Sequence, residues 1–153
     1  DTKNARFKYL FYSSTVLTSA PDLPATELAT DCYDAMFWGC TNLKKAPELP
    51  ATQLSTSCYA YMFHSCTSLV ESPVLAAESL TSHCYYAMFG DCTNLKKVTM
   101  LATSADKNKD TNSLDTWLRG TTGGTLYVNS SVVNNEYLKA NVPEGWKIDP
   151  VGE

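Results

Sequence analysis

Six cysteines are the residues of this chain best suited to do chemistry, and they recur in three evenly spaced pairs. Seven residues separate the members of each pair, and each pair returns 26 residues later: Cys32/Cys40, Cys58/Cys66 and Cys84/Cys92. A structural zinc site usually draws cysteines only about two to four residues apart, and no such spacing occurs in the sequence. Two hypotheses therefore remain, namely three disulfides or two columns of buried thiols.

The spacing within a pair favours the buried thiols. If Cys32 lies on a helical turn that ends before Cys40, the intervening residues separate the two by roughly 12 Å at about 1.5 Å per residue. A disulfide needs Cα atoms about 4.4–6.8 Å apart. We therefore expect Cys32, Cys58 and Cys84 in one column and Cys40, Cys66 and Cys92 in the other. In the second column a thiol can also satisfy backbone groups of a turn.

No other residue pattern supports a catalytic hypothesis. His64 and His83 occupy different repeat positions, and neither has a serine or cysteine at a known nucleophile spacing. Residues 106–110 have the composition of a calcium loop but lack the glycine and the final glutamate of an EF-hand. We expect no enzymatic activity, no metal and no cofactor.

The cysteine pairs belong to a repeat of 26 residues that runs without gaps through 23–48, 49–74 and 75–100. Each copy contains Cys-Tyr, then Met-Phe, then Cys-Thr-x-Leu. A fixed period of this size predicts a solenoid, in which stacked coils bury a core that one coil cannot bury alone. The core should contain the cysteines and the constant large side chains, which are Phe37, Phe63, Phe89, Leu43, Leu69 and Leu95.

Atypical copies flank the regular ones, as expected of an array that must stop exposing its core. Residues 7–22 match the second half of a repeat, and residues 101–128 form a degenerate copy lengthened by a polar insertion. Residues 129–153 match no repeat. We interpret 1–128 as an α/β solenoid and 129–153 as a C-terminal cap that packs Val132, Val133, Tyr137, Leu138 and Trp146.

Each copy is predicted to hold one helix-like segment and one extended segment. Residues 31–37, 57–63 and 83–89 place a cysteine and a methionine four residues apart, which is one face of a helix. Gly39 follows the first of them as a stop signal. Residues 43–47 are predicted to be extended, because the residue before Pro47 is disfavoured in the α region. Residues 125–128 should supply a similar extended piece.

Aromatic residues at variable repeat positions are the candidates for ligand binding. Tyr12, Trp38 and His64 share the position after the constant aromatic residue, and Tyr61 and Tyr86 lie at neighbouring variable positions. An exposed cluster of these side chains would be an apolar patch of the kind that marks interaction sites. The alternative is that they are scattered surface residues that fill gaps between coils. The constant column Tyr33, Tyr59 and Tyr85 is interpreted as core.

Bulk composition limits the classes of function. A net charge of −4 and a pI near 5.1 argue against nucleic-acid binding, which calls for a basic surface. No run of about 18 apolar residues is present, so we expect no transmembrane segment. There is also no basic stretch followed by an apolar one at the N-terminus. The chain is therefore expected to be either cytoplasmic or, as we favour, a mature form whose export signal has been removed. We also expect it to be a monomer.

The motif Met-Phe-x-x-Cys-Thr-x-Leu, followed by a short strand and a Leu-Pro-Ala turn, resembles the BspA-type leucine-rich repeat of bacterial surface proteins. The resemblance covers about 7–128, and residues 124–128 and 142–147 are similar to the segment that closes such arrays. It implies a short right-handed leucine-rich-repeat array in a secreted or surface-attached protein of a host-associated bacterium. Attachment through a lipid anchor upstream of this chain is left open.

Two functions of different classes follow from the resemblance. The first is a non-catalytic adhesion module that recognises a host protein, a matrix protein or a glycan through the variable aromatic positions. The second is a structural spacer or stalk within a larger surface assembly. Placement of Trp38 beside His64 favours the first, because a spacer has no reason to put variable aromatic residues on one edge.

Overall fold

The extended segments of successive blocks pair side by side in a parallel sheet. The computed structural model describes residues 5–152 and places four strands in the order of the chain, β1 (Glu71–Leu75), β2 (Lys97–Met100), β3 (Thr125–Val128) and β4 (Lys147–Pro150). A 3₁₀ turn (Ser130–Val132) and the short helix α1 (Glu136–Ala140) lie between β3 and β4. The α/β class expected from the sequence is confirmed, with a four-stranded open parallel sheet.

Strand pairing follows the block period but weakens at the prolines. Lys97 of β2 pairs with Glu71 on one side and with Thr125 on the other. Pro73 has no N–H, and the register between β1 and β2 shifts around it. The backbone N–H of Thr99 therefore donates to the Ser72 hydroxyl at 3.2 Å. Earlier in the chain only isolated bridges remain, so the extended segment predicted at 43–47 is reduced to one bridge from Lys45 to Ser19.

The helices predicted at 31–37, 57–63 and 83–89 are wrong. Each of these segments is instead part of a chain of tight turns in which every fourth residue has a positive φ, for example Asp31 (53°), Ala35 (53°) and Gly39 (75°). An α-helix needs negative φ throughout, so this alternation stops it from forming. We call the five equivalent segments the turn ribbons, and they span 5–13, 31–39, 57–65, 83–91 and 112–120.

Hydrogen bonds of the turn ribbons alternate between two kinds of partner. The N–H of Met36 donates to the Tyr33 carbonyl within the ribbon at 3.2 Å, whereas the N–H of Phe37 donates to the Met62 carbonyl of the next ribbon at 2.9 Å. The same alternation recurs along the first four ribbons, whereas in the fifth the Leu114 N–H donates to the Tyr137 hydroxyl instead. Local bonds close the turns and cross-bonds join neighbouring blocks, so the backbone polar groups are satisfied without a helix.

Aromatic rings stack through the core at the same spacing as the ribbons. The rings of Phe11, Phe37, Phe63 and Phe89 lie 5.5, 5.6 and 5.7 Å apart and within 6° of parallel. A second column joins Phe7, Tyr33, Tyr59 and Tyr85 at 5.6 to 6.2 Å. The three constant leucines and the six cysteines lie in the same core with no exposed surface, as Leu43, Leu69, Leu95, Cys32, Cys40, Cys58, Cys66, Cys84 and Cys92.

Residues after 128 close the last ribbon. Val132 and Leu138 are buried, and Val133, Tyr137 and Trp146 pack against the same core. The Tyr137 hydroxyl accepts from the Leu114 N–H at 3.0 Å and donates to an Asp115 carboxylate oxygen at 2.9 Å. The sequence analysis did not anticipate β4, which continues the sheet from β3. The signal for it was weak, a run of four residues that ends in a proline.

Candidate functional site

Partly exposed aromatic side chains form a continuous row along one edge of the turn ribbons, and we call this row the aromatic strip. It contains the five side chains proposed from the sequence together with two more, as Tyr9, Tyr12, Trp38, Tyr61, His64, His83 and Tyr86. The strip crosses the first four ribbons. The structure therefore brings together residues that the sequence places up to three blocks apart.

Trp38 is the centre of the strip. Its ring centroid lies 4.9 Å from that of Tyr61 with the planes 13° apart, and 4.5 Å from that of His64. Tyr12 approaches from the preceding ribbon at 5.8 Å and 56°. Trp38 is half-buried by these neighbours. Stacked aromatic pairs of this geometry stabilise one another by about 0.5–1.5 kcal/mol beyond the area they bury.

Ring contacts continue from Trp38 to both ends of the strip. Tyr61 meets Tyr86 edge to face at 5.3 Å, and Tyr86 lies 5.5 Å from His83. At the other end Tyr9 packs edge to face on Tyr12 at 5.7 Å. Tyr9 and Tyr12 are each 51% exposed, whereas the remaining members are half-buried. The strip therefore offers its most accessible side chains at the N-terminal end.

Gly90 makes room for His64. It occupies the repeat position that holds Tyr12, Trp38 and His64 in the earlier blocks. A Cβ built on Gly90 would lie 2.7 Å from His64 Cδ2, which is closer than atoms can approach. The His64 imidazole occupies the space that a side chain at position 90 would need, so the row of large side chains at this repeat position stops at His64.

Burial lowers the pKa of His64 below its ordinary value of 6.5. The Asp91 carboxylate, 3.8 Å from Nε2, opposes this shift, and Arg119 adds to it. The other ring nitrogen, Nδ1, lies 2.9 Å from the Ser65 hydroxyl. The imidazole is consequently mostly neutral at pH 7, which suits its packing against Trp38.

An ion pair borders the strip. Lys8 Nζ lies 2.7 Å from Asp34 Oδ2, and Asp34 is otherwise buried. Burial raises the pKa of Asp34, and the Lys8 ammonium partly offsets that rise. The hydrogen bond to Asp34 raises the pKa of Lys8. This pair joins the first two ribbons beneath Tyr9, whose ring also faces the Lys8 ammonium at 5.4 Å.

All six cysteines are unbridged and buried. In the second column each thiol donates to the carbonyl of the core phenylalanine one block earlier, Cys40 to Phe11 at 3.1 Å and Cys92 to Phe63 at 2.9 Å. Burial raises the pKa of Cys32 from 9.0 to about 11, and those of Cys84 and Cys92 to about 12. The reactive thiolate is thereby suppressed. The separation of roughly 12 Å between Cys32 and Cys40 expected from a helix is not the reason that they are unbridged, because residues 31–39 form turns instead.

A proline-lined groove lies beside β1 and was not anticipated from the sequence. Its volume is about 520 Å³, and its walls include Pro47, Leu49, Pro73 and Val74. Val70 and Val74 are about half exposed next to it. The groove lies where residues 44–49 are not paired with β1, and Pro47 and Pro73 lack the N–H that such pairing would use. Both lysine and glutamate side chains line the groove, so its charge does not favour a ligand of either sign.

Within residues 5–152 no three histidine, cysteine, aspartate or glutamate side chains converge as metal ligands. Asp106 and Asp110 instead close their own loop, since the Asp110 carboxylate accepts from the Asp106 N–H at 3.0 Å. The same range contains no helix long and apolar enough to cross a bilayer.

The fold and site together define a small α/β domain with a four-stranded parallel sheet and a surface row of aromatic side chains. No family model, no curated protein and no solved structure matches the chain.

Proposed function

We propose that the chain is a non-catalytic binding module of a secreted or cell-surface protein, and that the aromatic strip is its recognition surface. Architecturally, we propose a short right-handed solenoid of BspA-type leucine-rich repeats, with 26-residue coils and a C-terminal cap. Support for the solenoid comes from ribbons whose cross-bonds join residues one block apart, as from Phe37 to Met62. The core columns of stacked phenylalanines have the same period.

The continuity of the aromatic strip is the observation that carries the binding function. Tyrosine and tryptophan are the side chains most enriched at the energetic centres of protein interfaces. The side chains at the constant positions of each block are buried in the core. The strip is formed at positions that vary between blocks, such as the one that holds Trp38, His64 and Gly90 in successive blocks. A spacer would gain nothing from variable aromatic residues gathered on one edge.

The state of the reactive side chains supports a non-catalytic role. The cysteines are buried thiols with raised pKa values, so they are poor nucleophiles near pH 7. His64 is stacked on Trp38, and His83 Nδ1 lies 2.8 Å from the Ser82 hydroxyl and packs on Tyr86. Burial also explains how six free thiols could persist in an oxidising compartment, because an oxidant reaches a buried, protonated thiol slowly.

Binding of the isolated chain to a glycan array and to a panel of purified extracellular-matrix proteins tests this function. The double variant Trp38→Ala/Tyr61→Ala removes the centre of the strip. The double variant Val70→Ala/Val74→Ala is the matched control, because it shortens two exposed side chains, one just before β1 and one within it. We expect a ligand whose affinity falls at least tenfold in the first variant and within twofold in the control.

Two other outcomes contradict the proposal in different ways. If a ligand binds equally well to the wild type and to Trp38→Ala/Tyr61→Ala, the chain is a binding module but the strip is not its site. If no component of either panel binds, the alternative of a structural spacer is favoured instead.

A further inference from the structure

The orientation of the rings in the aromatic strip restricts the class of ligand that it can bind, and this inference rests on the proposed function. Sugars bind aromatic platforms by packing their C–H groups flat on a ring, where the quadrupole is negative. Such binding needs at least one ring with a free face. The accessibility of the ring faces can therefore distinguish a glycan ligand from a polypeptide ligand.

Aromatic side chains of both neighbouring ribbons contact the Trp38 ring. Its ribbon lies between the ribbons 5–13 and 57–65, to which it is joined by hydrogen bonds on either side. Tyr61 and His64 cover the side toward the later ribbon, with centroids at 4.9 and 4.5 Å. Tyr12 approaches on the side of the earlier ribbon at 5.8 Å. With a neighbouring ring on each side, the largest ring of the strip has no fully free face on which a sugar could pack.

The next ring along the strip also has an aromatic neighbour in each adjoining ribbon. Tyr61 is stacked on Trp38 on one side, and Tyr86 meets it on the other at 5.3 Å and 71°. Tyr9 and Tyr12, at the N-terminal end of the strip, are its most exposed side chains, and they pack edge to face on each other at 80°. A row of two or more parallel free faces, as an oligosaccharide would need, is not formed by these rings.

Ring edges and polar hydrogens are what the strip presents. Edges carry the positive part of the ring quadrupole. Trp38 and Tyr12 add an indole N–H and a hydroxyl to these edges. These groups suit carbonyl oxygens, and the carbon edges suit apolar side chains. Both occur together, at regular spacing, along an extended polypeptide. Tyrosine-rich antibody paratopes bind proteins with the same combination of groups.

We propose that the ligand of the aromatic strip is an extended polypeptide segment rather than a glycan. The length of the segment follows from the spacing of the ribbons. Phenylalanine rings of the four ribbons that carry the strip are 5.5, 5.6 and 5.7 Å apart, so the strip is roughly 17 Å long. An extended chain advances about 3.4 Å per residue, and about five residues of it therefore span Tyr12 to Tyr86.

Selection of peptides from a random decapeptide phage library on the immobilised wild-type chain tests this proposal. Phage that also bind Trp38→Ala/Tyr61→Ala are first removed, and the selected peptides are then made synthetically. Their affinities are measured for the wild type, for that variant and for Val70→Ala/Val74→Ala. A panel of soluble oligosaccharides is titrated in parallel against the same three proteins. Thermal melting confirms that each variant is folded, and Tyr12→Ala replaces the double variant if that one is not.

We expect selected peptides whose affinity falls at least tenfold in the strip variant and within twofold in the control, while no oligosaccharide binds. An oligosaccharide whose binding is lost in the strip variant would overturn this inference and leave the proposed binding function standing. Failure of the library to yield any peptide that distinguishes the wild type from the strip variant would also overturn it. Oligosaccharide binding that is unchanged in the strip variant would instead count against the strip as the recognition surface.

Discussion

The thiol of Cys66 donates a hydrogen bond to the carbonyl oxygen of Phe37 at 3.1 Å, across one block of the chain. Cys40 and Cys92 make the same bond to Phe11 and Phe63. The repeated cysteine is therefore a small donor that ties each ribbon to the one before it, in a place where the stacked rings leave little room. This role requires a free thiol, because a disulfide sulfur has no hydrogen to donate.

All six thiols are expected to be reduced in the purified chain. Iodoacetamide is added to the chain in denaturant without a reductant, and the mass is then measured. Six alkylated cysteines are expected, because each thiol is buried and unbridged in the folded state. A mass that corresponds to three intact disulfides would show that the hydrogen bonds of the second column do not form.

Stability is expected to fall at alkaline pH. The pKa values of Cys84 and Cys92 are raised by burial from 9.0 to about 12. Between these values the unfolded chain has released protons that the folded chain still holds, so a rise in pH favours unfolding. The slope reaches about 1.4 kcal/mol per pH unit for each such thiol. Urea unfolding at pH 8 and pH 10 measures this, and equal free energies at the two values would contradict it.

Glycine is expected to be tolerated at Ala35 and not at Ala60. Both alanines are buried in turn ribbons, but only Ala35 has a positive φ, of 53°. A side chain in the left-handed region costs about 1–2 kcal/mol, and glycine avoids that cost. Ala35→Gly should therefore be at least about 1 kcal/mol less destabilising than Ala60→Gly in urea unfolding. Were the segment the helix predicted from the sequence, both substitutions would cost about 1 kcal/mol.

His64 is expected to titrate below its ordinary pKa of 6.5, because burial against Trp38 disfavours the imidazolium. The measurement is an NMR titration of the imidazole protons, with the His64→Gln variant to assign the signal. The unfolded chain takes up this proton first as the pH falls, so the contribution of His64 to stability declines below about pH 6.5. A midpoint at or above 6.5 would mean that Asp91 outweighs burial.

The sequence was sufficient for some parts of the fold and not for others. The 26-residue period located the buried cysteines, Phe37 and Leu43, because a core position recurs whenever blocks stack. It did not reveal the turn ribbons, since alanine and tyrosine at positions 35 and 61 give no sign of a positive φ. A spacing of four residues between Cys32 and Met36 fits an α-helix as well as it fits a turn ribbon. Hydrogen bonds to the neighbouring block distinguish the ribbon from the helix, and a local sequence pattern does not reveal those bonds.

The candidate site was also predicted in part. Trp38, His64, Tyr61, Tyr86 and Tyr12 were chosen because their positions vary between blocks, and the structure places them in one row. Tyr9 and His83 were missed. Tyr9 lies at the repeat position of Tyr61, a signal that was available. His83 stands at the repeat position of Asp31 and Ser57, which carries no aromatic side chain in the earlier blocks.

The central claim, that the aromatic strip is the recognition surface, is tested most directly by the indole N–H signals of the tryptophans. The chain has three, and Trp117 and Trp146 donate theirs to Asn141 and Thr121 within the protein. Addition of a selected decapeptide to the ¹⁵N-labelled chain should shift the Trp38 signal while the other two stay in place. Binding that leaves the Trp38 signal unmoved, and instead shifts the backbone signals of Leu49 and Val74 in the groove, would contradict the claim.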